Sequence, residues 1–441
     1  LMMQQDKKPQ KEFFVIKNTL IILSHKIKYE LKTMNFNNIF NIVAPFLSTV
    51  GAGAFFKREM IHFLYAPKLK IVRKDAFRQC SNLRIVVGDS LELIEEGAFE
   101  SCYCLSKINL ENVNMFQSQA FFYCSLQQVV NHDCEYFNFN VLGKNDLLES
   151  VELEKAKKVD SKYIANNFQS LSQLKMPCLE EFGGQIPEHV KITADSSEML
   201  KKNRELIPEI VSEFLPSNFS DSKKLEKQLQ QLQFNNCDSF IKDRVLLGKS
   251  INLDLLQKVK GVVLTNQPEF EPSQFKGGLV VFVHSPMTHV VRIGAFENCR
   301  YLKKFFSKCL KIVEHSAFKS CHSLKQVSLQ NVEFLGENAF FNCRSLMQIK
   351  MNEIKTISCN CFYGCSALRR ILVKNFDGVE NHDKTIADLI QKDQTKIYFQ
   401  EQYVDGFAER KLIRARIFRL KLLAARIWGS IDCLEEVGMC K

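Results

Sequence analysis

The stretch His315–Met351 reads HSAFKSCHSLKQVSLQNVEFLGENAFFNCRSLMQIKM and states one pattern twice. Ala317, Phe318 and Cys321 return 22 residues later as Ala339, Phe340 and Cys343. Leu324, Val327 and Leu329 return as Leu346, Ile349 and Met351. Outward from here the pattern continues in both directions. Ala295-Phe296-Cys299 precedes it and Cys361-Phe362-Cys365 follows it, with Leu368, Ile371 and Val373 behind. A second cluster stands earlier in the chain: Ala76-Phe77-Cys80, Ala98-Phe99-Cys102 and Ala120-Phe121-Cys124. One aromatic slot reused many times also accounts for 36 Phe against 10 Tyr and 1 Trp.

The spacing L-x-x-I-x-L, as in Leu105, Ile108 and Leu110, alternates like a strand with one buried face. Phe and Cys at i and i+3 fit one face of a short helical turn. A further aliphatic, at Ile94, Val313 or Ile357, closes the core before the next Phe. The expected unit is therefore a strand, a turn and a short helical piece. The expected fold class is α/β, a solenoid of stacked units. No unit can bury its apolar face alone, so neighbours must stack. Weaker copies widen the array: Ala54-Phe55 with Arg58 in the Cys slot, then Leu148-Val151-Leu153, Leu171-Leu174-Met176, Val280-Val283 and Gly261-Val262-Val263-Leu264.

These motifs resemble the BspA-type leucine-rich repeat family, whose 22- to 23-residue unit carries A-F-x-x-C-x-x-L. The resemblance covers about residues 33–193 and 258–375. It implies a leucine-rich repeat fold and a macromolecule-binding role, and it transfers no catalytic residue. Members include surface adhesins as well as intracellular proteins.

The remaining segments give the expected organisation. Residues 1–32 read as a helical N-terminal cap, 33–193 as repeat block 1 and 258–375 as block 2. Residues 194–257 break the register. Ser196–Leu215 and Ser220–Phe234 read as helices there, with Leu225, Leu229 and Leu232 at helical spacing, so a helical joint, an insertion or degenerate repeats are the alternatives. Residues 376–441 form a tail with a basic amphipathic helix over 407–428. Its cations include Arg410, Arg414, Arg416, Arg419 and Lys421, with Trp428 at its end. Such a helix caps a solenoid, lies on an anionic membrane or fills a calmodulin-like groove.

Several chemistries find no support. Phosphate-loop, dinucleotide, zinc-protease and serine-hydrolase signatures are lacking, so no catalytic residue, cofactor or metal is expected. Cys102-x-Cys104 and Cys359-x-Cys361-x-x-x-Cys365 look like fragments of metal sites, but Cys102 and Cys365 already fill the repeat slot. Buried reduced thiols are the simpler reading. His132-x-Cys134 and Cys321-His322 show no orienting carboxylate at a recognisable spacing. A stretch from Phe13 to Leu23 is broken by Lys17 and Asn18 and makes a poor secretory core, and no run of about 18 apolar residues occurs. A cytoplasmic location is expected. The sequence begins at Leu1, so a longer precursor and an exported adhesin stay open.

The candidate binding surface follows from the strands. Residues between the buried aliphatics face outward and stack into one sheet face. In block 2 these are Lys304, Phe306 and Lys308, then Gln326, Ser328 and Gln330, then Gln348, Lys350 and Asn352, then Arg370, Leu372 and Lys374. Five are basic and none is acidic. Block 1 offers Asp89, Glu111, Glu152 and Glu154 against Lys107 and Lys175. The expected partner is a protein with an acidic segment, gripped by the cations with Phe306 and Leu372 as apolar anchors. Nucleic acid fits less well, because dense Arg and interleaved aromatics are missing. A plainly solvated face is the rival reading, and a membrane contact through residues 407–428 is a third.

Overall fold

In a computed structural model the described residues are 13–16, 18–27, 36, 38–161, 168–183, 190–193, 239–242, 245–248, 250–251, 259–374, 377–379 and 389–392. They fall into two compact units, 1–199 and 200–441.

Unit 1 winds two lines of strands, one pair from each repeat, parallel except for the first described strand Phe13–Ile16. The first contains, in order, Phe13–Ile16, Thr19–Ile22, Asn41–Val43, Phe63–Tyr65, Ile85–Val87 and Lys107–Ile108. The second contains Lys26–Ile27, Thr49–Val50, Ile71–Val72, Leu93–Ile94 and Met115–Phe116. Asn41 pairs with Phe63 and Phe63 with Ile85, so each rung lies 22 residues from the last. The array continues through Gln128–Asn131, Ser150–Leu153, Gln173–Lys175 and Lys191–Thr193, beside Tyr136–Asn138, Lys158–Asp160 and Glu181–Gly183. Ile42, Leu64 and Val86 from the first sheet meet Val50, Val72 and Ile94 from the second in one core.

Unit 2 repeats the plan. Its first sheet runs Ser239–Lys242, Val245–Gly248, Gly261–Leu264, Phe282–His284, Lys304–Phe306 and Gln326–Val327, and a further sheet holds Gln348–Met351, Arg370–Val373 and Ile390–Lys392. The opposite line is Glu269–Phe270, Val290–Val291, Ile312–Val313 and Phe334–Leu335, then Thr356–Ile357 with Gly378–Val379. The aliphatic expected only to close the core, at Ile94, Val313 and Ile357, is thus the inward residue of a second strand.

The helical part of the expected unit is not formed. Phe77 is flanked by left-handed residues at both second neighbours, Asp75 at φ 54° and Gln79 at φ 60°. The same holds at Phe99, between Gly97 and Ser101, and at Phe340, between Asn338 and Asn342. A residue in the left-handed region every four positions ends any right-handed helix. The backbone donors turn along the stack instead. Phe77 N–H donates to Ala98 O at 2.8 Å, and Phe318 N–H to Ala339 O at 2.8 Å. Turn bonds such as Cys80 N–H to Phe77 O at 3.0 Å alternate with these cross-rung bonds. Phe and Cys do share a face, as their spacing predicts, but on a non-helical turn. Among the described residues the helical element is a single 3-10 turn, Phe139–Leu142.

The flanking helices are corrected likewise. Within 1–32, the described residues form the hairpin Phe13–Ile16 with Thr19–Ile22, not a helix. Within 194–257, Ser239–Lys242 and Val245–Gly248 form a second antiparallel hairpin. Phe14 and Ile21, or Phe240 and Leu247, follow the alternation of paired strands, which overrides a helical reading of short apolar runs. The proposed helices Ser196–Leu215 and Ser220–Phe234, and the basic helix over 407–428, lie outside the described residues.

Candidate functional site

The turn Phe residues stack into ladders that fix the rungs. Phe55–Phe77, Phe77–Phe99 and Phe99–Phe121 have ring centroids 4.9, 5.3 and 5.2 Å apart. In unit 2 the ladder runs from Phe275 through Phe296, Phe318 and Phe340 to Phe362, with 5.2 Å between Phe318 and Phe340. Beside each ring a thiol closes an otherwise buried acceptor. Cys102 Sγ donates to Phe77 O at 3.1 Å, and Cys343 Sγ to Phe318 O at 3.1 Å. Burial pushes these thiols up, to about 12 for Cys299, so they carry neither thiolate nor ready nucleophile. Their role is structural. Among the described residues no group of three or more His, Cys, Asp or Glu is arranged to hold a metal ion.

Two turns escaped the sequence pattern. Phe275, between left-handed Ser273 and Gly277, begins the unit 2 ladder without the Ala or Cys of the motif. After Phe121 the slots are filled by Val141, Leu142 and Asn145. Phe121 N–H donates to Val141 O at 2.9 Å, and Asn145 Nδ2 donates to Phe121 O at 2.7 Å, in place of a thiol. Asn145 Oδ1 also accepts from Leu126 N–H at 3.2 Å. An amide doing a thiol's work gives no signal in an apolar pattern.

Charges on the turns and second strands mostly pair from rung to rung. Lys70–Glu92 at 2.7 Å, Lys74–Glu96 at 2.6 Å and Lys311–Glu333 at 2.9 Å each join residues 22 apart. Such exposed pairs are screened by solvent and add little to stability. The histidines behave as neighbours of the fold. His322 Nδ1 lies 2.9 Å from Asn342 O, and burial lowers its pKa to about 4. His132 does face a carboxylate, Glu154 one rung on at 3.8 Å, a partner that spacing along the chain conceals.

The outer strand face of unit 2 places the candidate residues as follows. Lys304, Phe306 and Lys308 are half-buried on and just after one strand, and Lys304 pairs in register with Gln326. Gln348 lies beside Arg370, and Lys350 beside Leu372, on the neighbouring strands Gln348–Met351 and Arg370–Val373. Lys350, Arg370 and Leu372 are half-buried and Lys374 is exposed. The structure thus brings Lys350, Arg370 and Leu372 together and sets Lys304, Phe306 and Lys308 apart as a second group. The sequence reading missed what flanks Phe306. His284, one strand back, stacks on it with centroids 4.5 Å apart and planes at 19°. His284 is buried, and desolvation with the Lys308 charge lowers its pKa to about 4. Next to it the Phe282 ring lies where a Cβ at Gly261 would collide, so that glycine is required by close packing.

On unit 1 the expected open face is only partly found. Asp89, Glu111, Glu154 and Lys107 are exposed. Glu152 and Lys175 are buried instead, and their side chains form an ion pair across adjacent strands. Once paired, Glu152 no longer adds to an acidic surface. In the first sheet of the unit, Ile21, Val43 and Tyr65 take the positions between the inward aliphatics and are buried as well, so they add nothing to an open charged face.

The arm of candidates on the basic helix, Arg410, Arg414, Arg416, Arg419, Lys421 and Trp428, lies outside the described residues. Among those described, no helix is long and apolar enough to cross a membrane.

No curated protein matches the chain. Solved structures that it resembles include a leucine-rich repeat protein from Bacteroides ovatus, 16% identical over 83% of this chain and 88% of that one, with a TM-score of 0.24. A leucine-rich cell surface protein from Faecalibacterium prausnitzii is 18% identical over 87% and 97%, with a TM-score of 0.26. An internalin from Listeria monocytogenes is 11% identical over 85% and 84%, with a TM-score of 0.25. At TM-scores this low the fold assignment rests on the rungs themselves. The family model that matches is the BspA type leucine rich repeat region, in six copies across residues 26–148, 70–185 and 289–382. With more than half its length in that repeat and its Phe turns stacked rung on rung, the chain belongs to the BspA-type leucine-rich repeat family.

Proposed function

We propose that unit 2 is a protein-docking module that receives an acidic partner segment on the outer face of its strands. The observation that carries the reading is the register of Lys350 beside Leu372 and of Arg370 beside Gln348. It sets two cations around a half-buried apolar side chain on one rigid, hydrogen-bonded surface. A rigid sheet spares the backbone ordering cost at binding, and like-signed charge at the rim speeds the encounter with an opposite charge. Phe306, backed by His284, adds a second apolar contact on the same unit. No chemistry is assigned to this face, because the side chains on it offer charge and apolar area and no activated nucleophile.

The test is a Lys350→Glu/Arg370→Glu double variant against the partner captured by proximity labelling in the native cell. Melting should stay near wild type, because both side chains lie at the surface of the sheet. Association should slow by about tenfold or more at low salt, and the difference should shrink as salt screens the charges. Association of the double variant as fast and as tight as wild type at low salt would remove this face from consideration.

A further inference from the structure

We infer that each unit is a complete solenoid with its own N-terminal cap, so that unit 2 keeps its fold and its strand face whether or not unit 1 is folded. The chain is then two docking modules that fail separately, a property that does not depend on which partner either module binds.

The inference starts from a feature that occurs twice. A parallel solenoid grows by laying each rung in the same direction on the one before it. The first described strand of unit 1, Phe13–Ile16, instead runs antiparallel to Thr19–Ile22, and only then does Thr19 pair in parallel with Asn41. The first described strands of unit 2 do the same. Ser239–Lys242 runs antiparallel to Val245–Gly248, and Val245 then pairs in parallel with Gly261. In both hairpins two residues separate the strands, 17–18 and 243–244, and four residue pairs are matched. An antiparallel edge strand is not a rung. The first rung of unit 2 is therefore laid on a hairpin from its own segment, as in unit 1.

The cores say the same. Leu20 and Ile22 of the first hairpin belong to a buried cluster that runs to Val190. Leu246 of the second hairpin belongs to another, which runs to Val373 and, among the described residues, shares none with the first. In a repeat array, cooperativity passes through the burial between neighbouring rungs. Each hairpin supplies that burial for the first rung of its own array, and Leu246 is fully buried in the process.

The experiment is hydrogen exchange with mass spectrometry on the full chain, comparing wild type with Phe99→Ala, Phe318→Ala and Leu246→Asp. Phe99→Ala should accelerate exchange by about tenfold or more in Phe63–Tyr65, Ile85–Val87 and Lys107–Ile108, and leave Phe282–His284 and Lys304–Phe306 within about twofold of wild type. Phe318→Ala should give the mirror image. Leu246→Asp should accelerate Gly261–Leu264 and Phe282–His284 but not Ile85–Val87. Complete unfolding of unit 1 in Phe99→Ala supports the inference if unit 2 stays protected. Should that variant give no soluble chain, Ile94→Val makes the same comparison with a smaller cavity. Acceleration of both units by the same factor in any of these variants would overturn it.

Discussion

The two units wind the same Phe turn but fill its two left-handed positions with different residues. Unit 2 places Gly277, Gly294, Asn298, Asn338, Asn342, Asn360 and Gly364 there, with Ser273, Ser316 and Ser320 at the rest. Unit 1 places Gly53 and Gly97 there, but otherwise Lys57, Asp75, Gln79, Ser101, Gln119 and Tyr123. Gly and Asn adopt this backbone readily; Lys, Gln and Tyr resist it by about 1–2 kcal/mol each. The turn in unit 2 is favoured locally. In unit 1 it is imposed by what the rungs gain from stacking. The same backbone therefore has two origins, and substitutions can tell them apart.

The largest expected effect is in the ladders. Phe340 is stacked on both sides, by Phe318 at 5.2 Å and Phe362 at 5.5 Å. Phe340→Ala should cost unit 2 about 3–5 kcal/mol through lost burial and a cavity. Phe121, with Phe99 on one side and Leu142 in the next slot, should cost unit 1 somewhat less. Urea melts read by exchange in each unit check both. An unchanged midpoint for Phe340→Ala would mean the register described here is wrong.

Lys175→Met sharpens the contrast between the two outer faces. It strands the buried Glu152 carboxylate, at a cost of about 3–5 kcal/mol to unit 1. Lys350→Met, on the half-buried face of unit 2, should change stability by no more than about 1 kcal/mol. Equal effects of the two, measured in urea, would show that the faces do not differ in burial.

Acid should act on unit 2 through the buried His284 and the half-buried His322. His284 and His322 have folded-state pKa values lowered from 6.5 to about 4 by burial. Between those values the unfolded chain binds more protons than the folded one. The stability these groups permit is thus complete above pH about 6.5 and lost as pH falls toward 4. His284→Gln/His322→Gln should flatten the pH dependence of the unit 2 midpoint across that window. A slope as steep as wild type would assign the acid sensitivity elsewhere.

Asn145→Leu tests the amide that replaces a thiol. It removes the donor to Phe121 O and the acceptor for Leu126 N–H, and should cost about 1–3 kcal/mol. Asn145→Cys should recover part of this, since a thiol can donate to Phe121 O but serves Leu126 N–H poorly. The smallest effect bears most directly on the turn comparison. Gln119→Gly should stabilise unit 1 by about 0.5–1 kcal/mol, because relief at φ 57° outweighs the added freedom of the unfolded chain. Asn338→Ala should destabilise unit 2 by a similar amount. Loss of stability in Gln119→Gly would break the claim that stacking forces that residue.

The sequence by itself determined the period, the inward slots and the family. Each of those properties repeats along one chain direction, and burial demands the same residue type every 22 positions. Phe318, Cys321, Leu324 and Val327 could be placed on one unit before any contact was known. Where a slot was filled by another chemistry, as by Asn145 or by Phe275 without its Cys, the period alone could not find it. The same limit applied to the candidate surface. Which residues lie between inward aliphatics was legible, but whether they meet solvent was not. Glu152 and Lys175 look like Lys350 in the pattern and differ only in what surrounds them. Backbone direction was also left to the tertiary structure. The i to i+3 spacing of Phe and Cys suits a helical turn and a left-handed-flanked turn equally. What chose between them was the set of N–H groups that bond to the next rung, and those partners lie a full repeat away. Likewise the strands of both caps carry apolar runs that fit helix or sheet, and pairing with a hairpin partner decided for sheet.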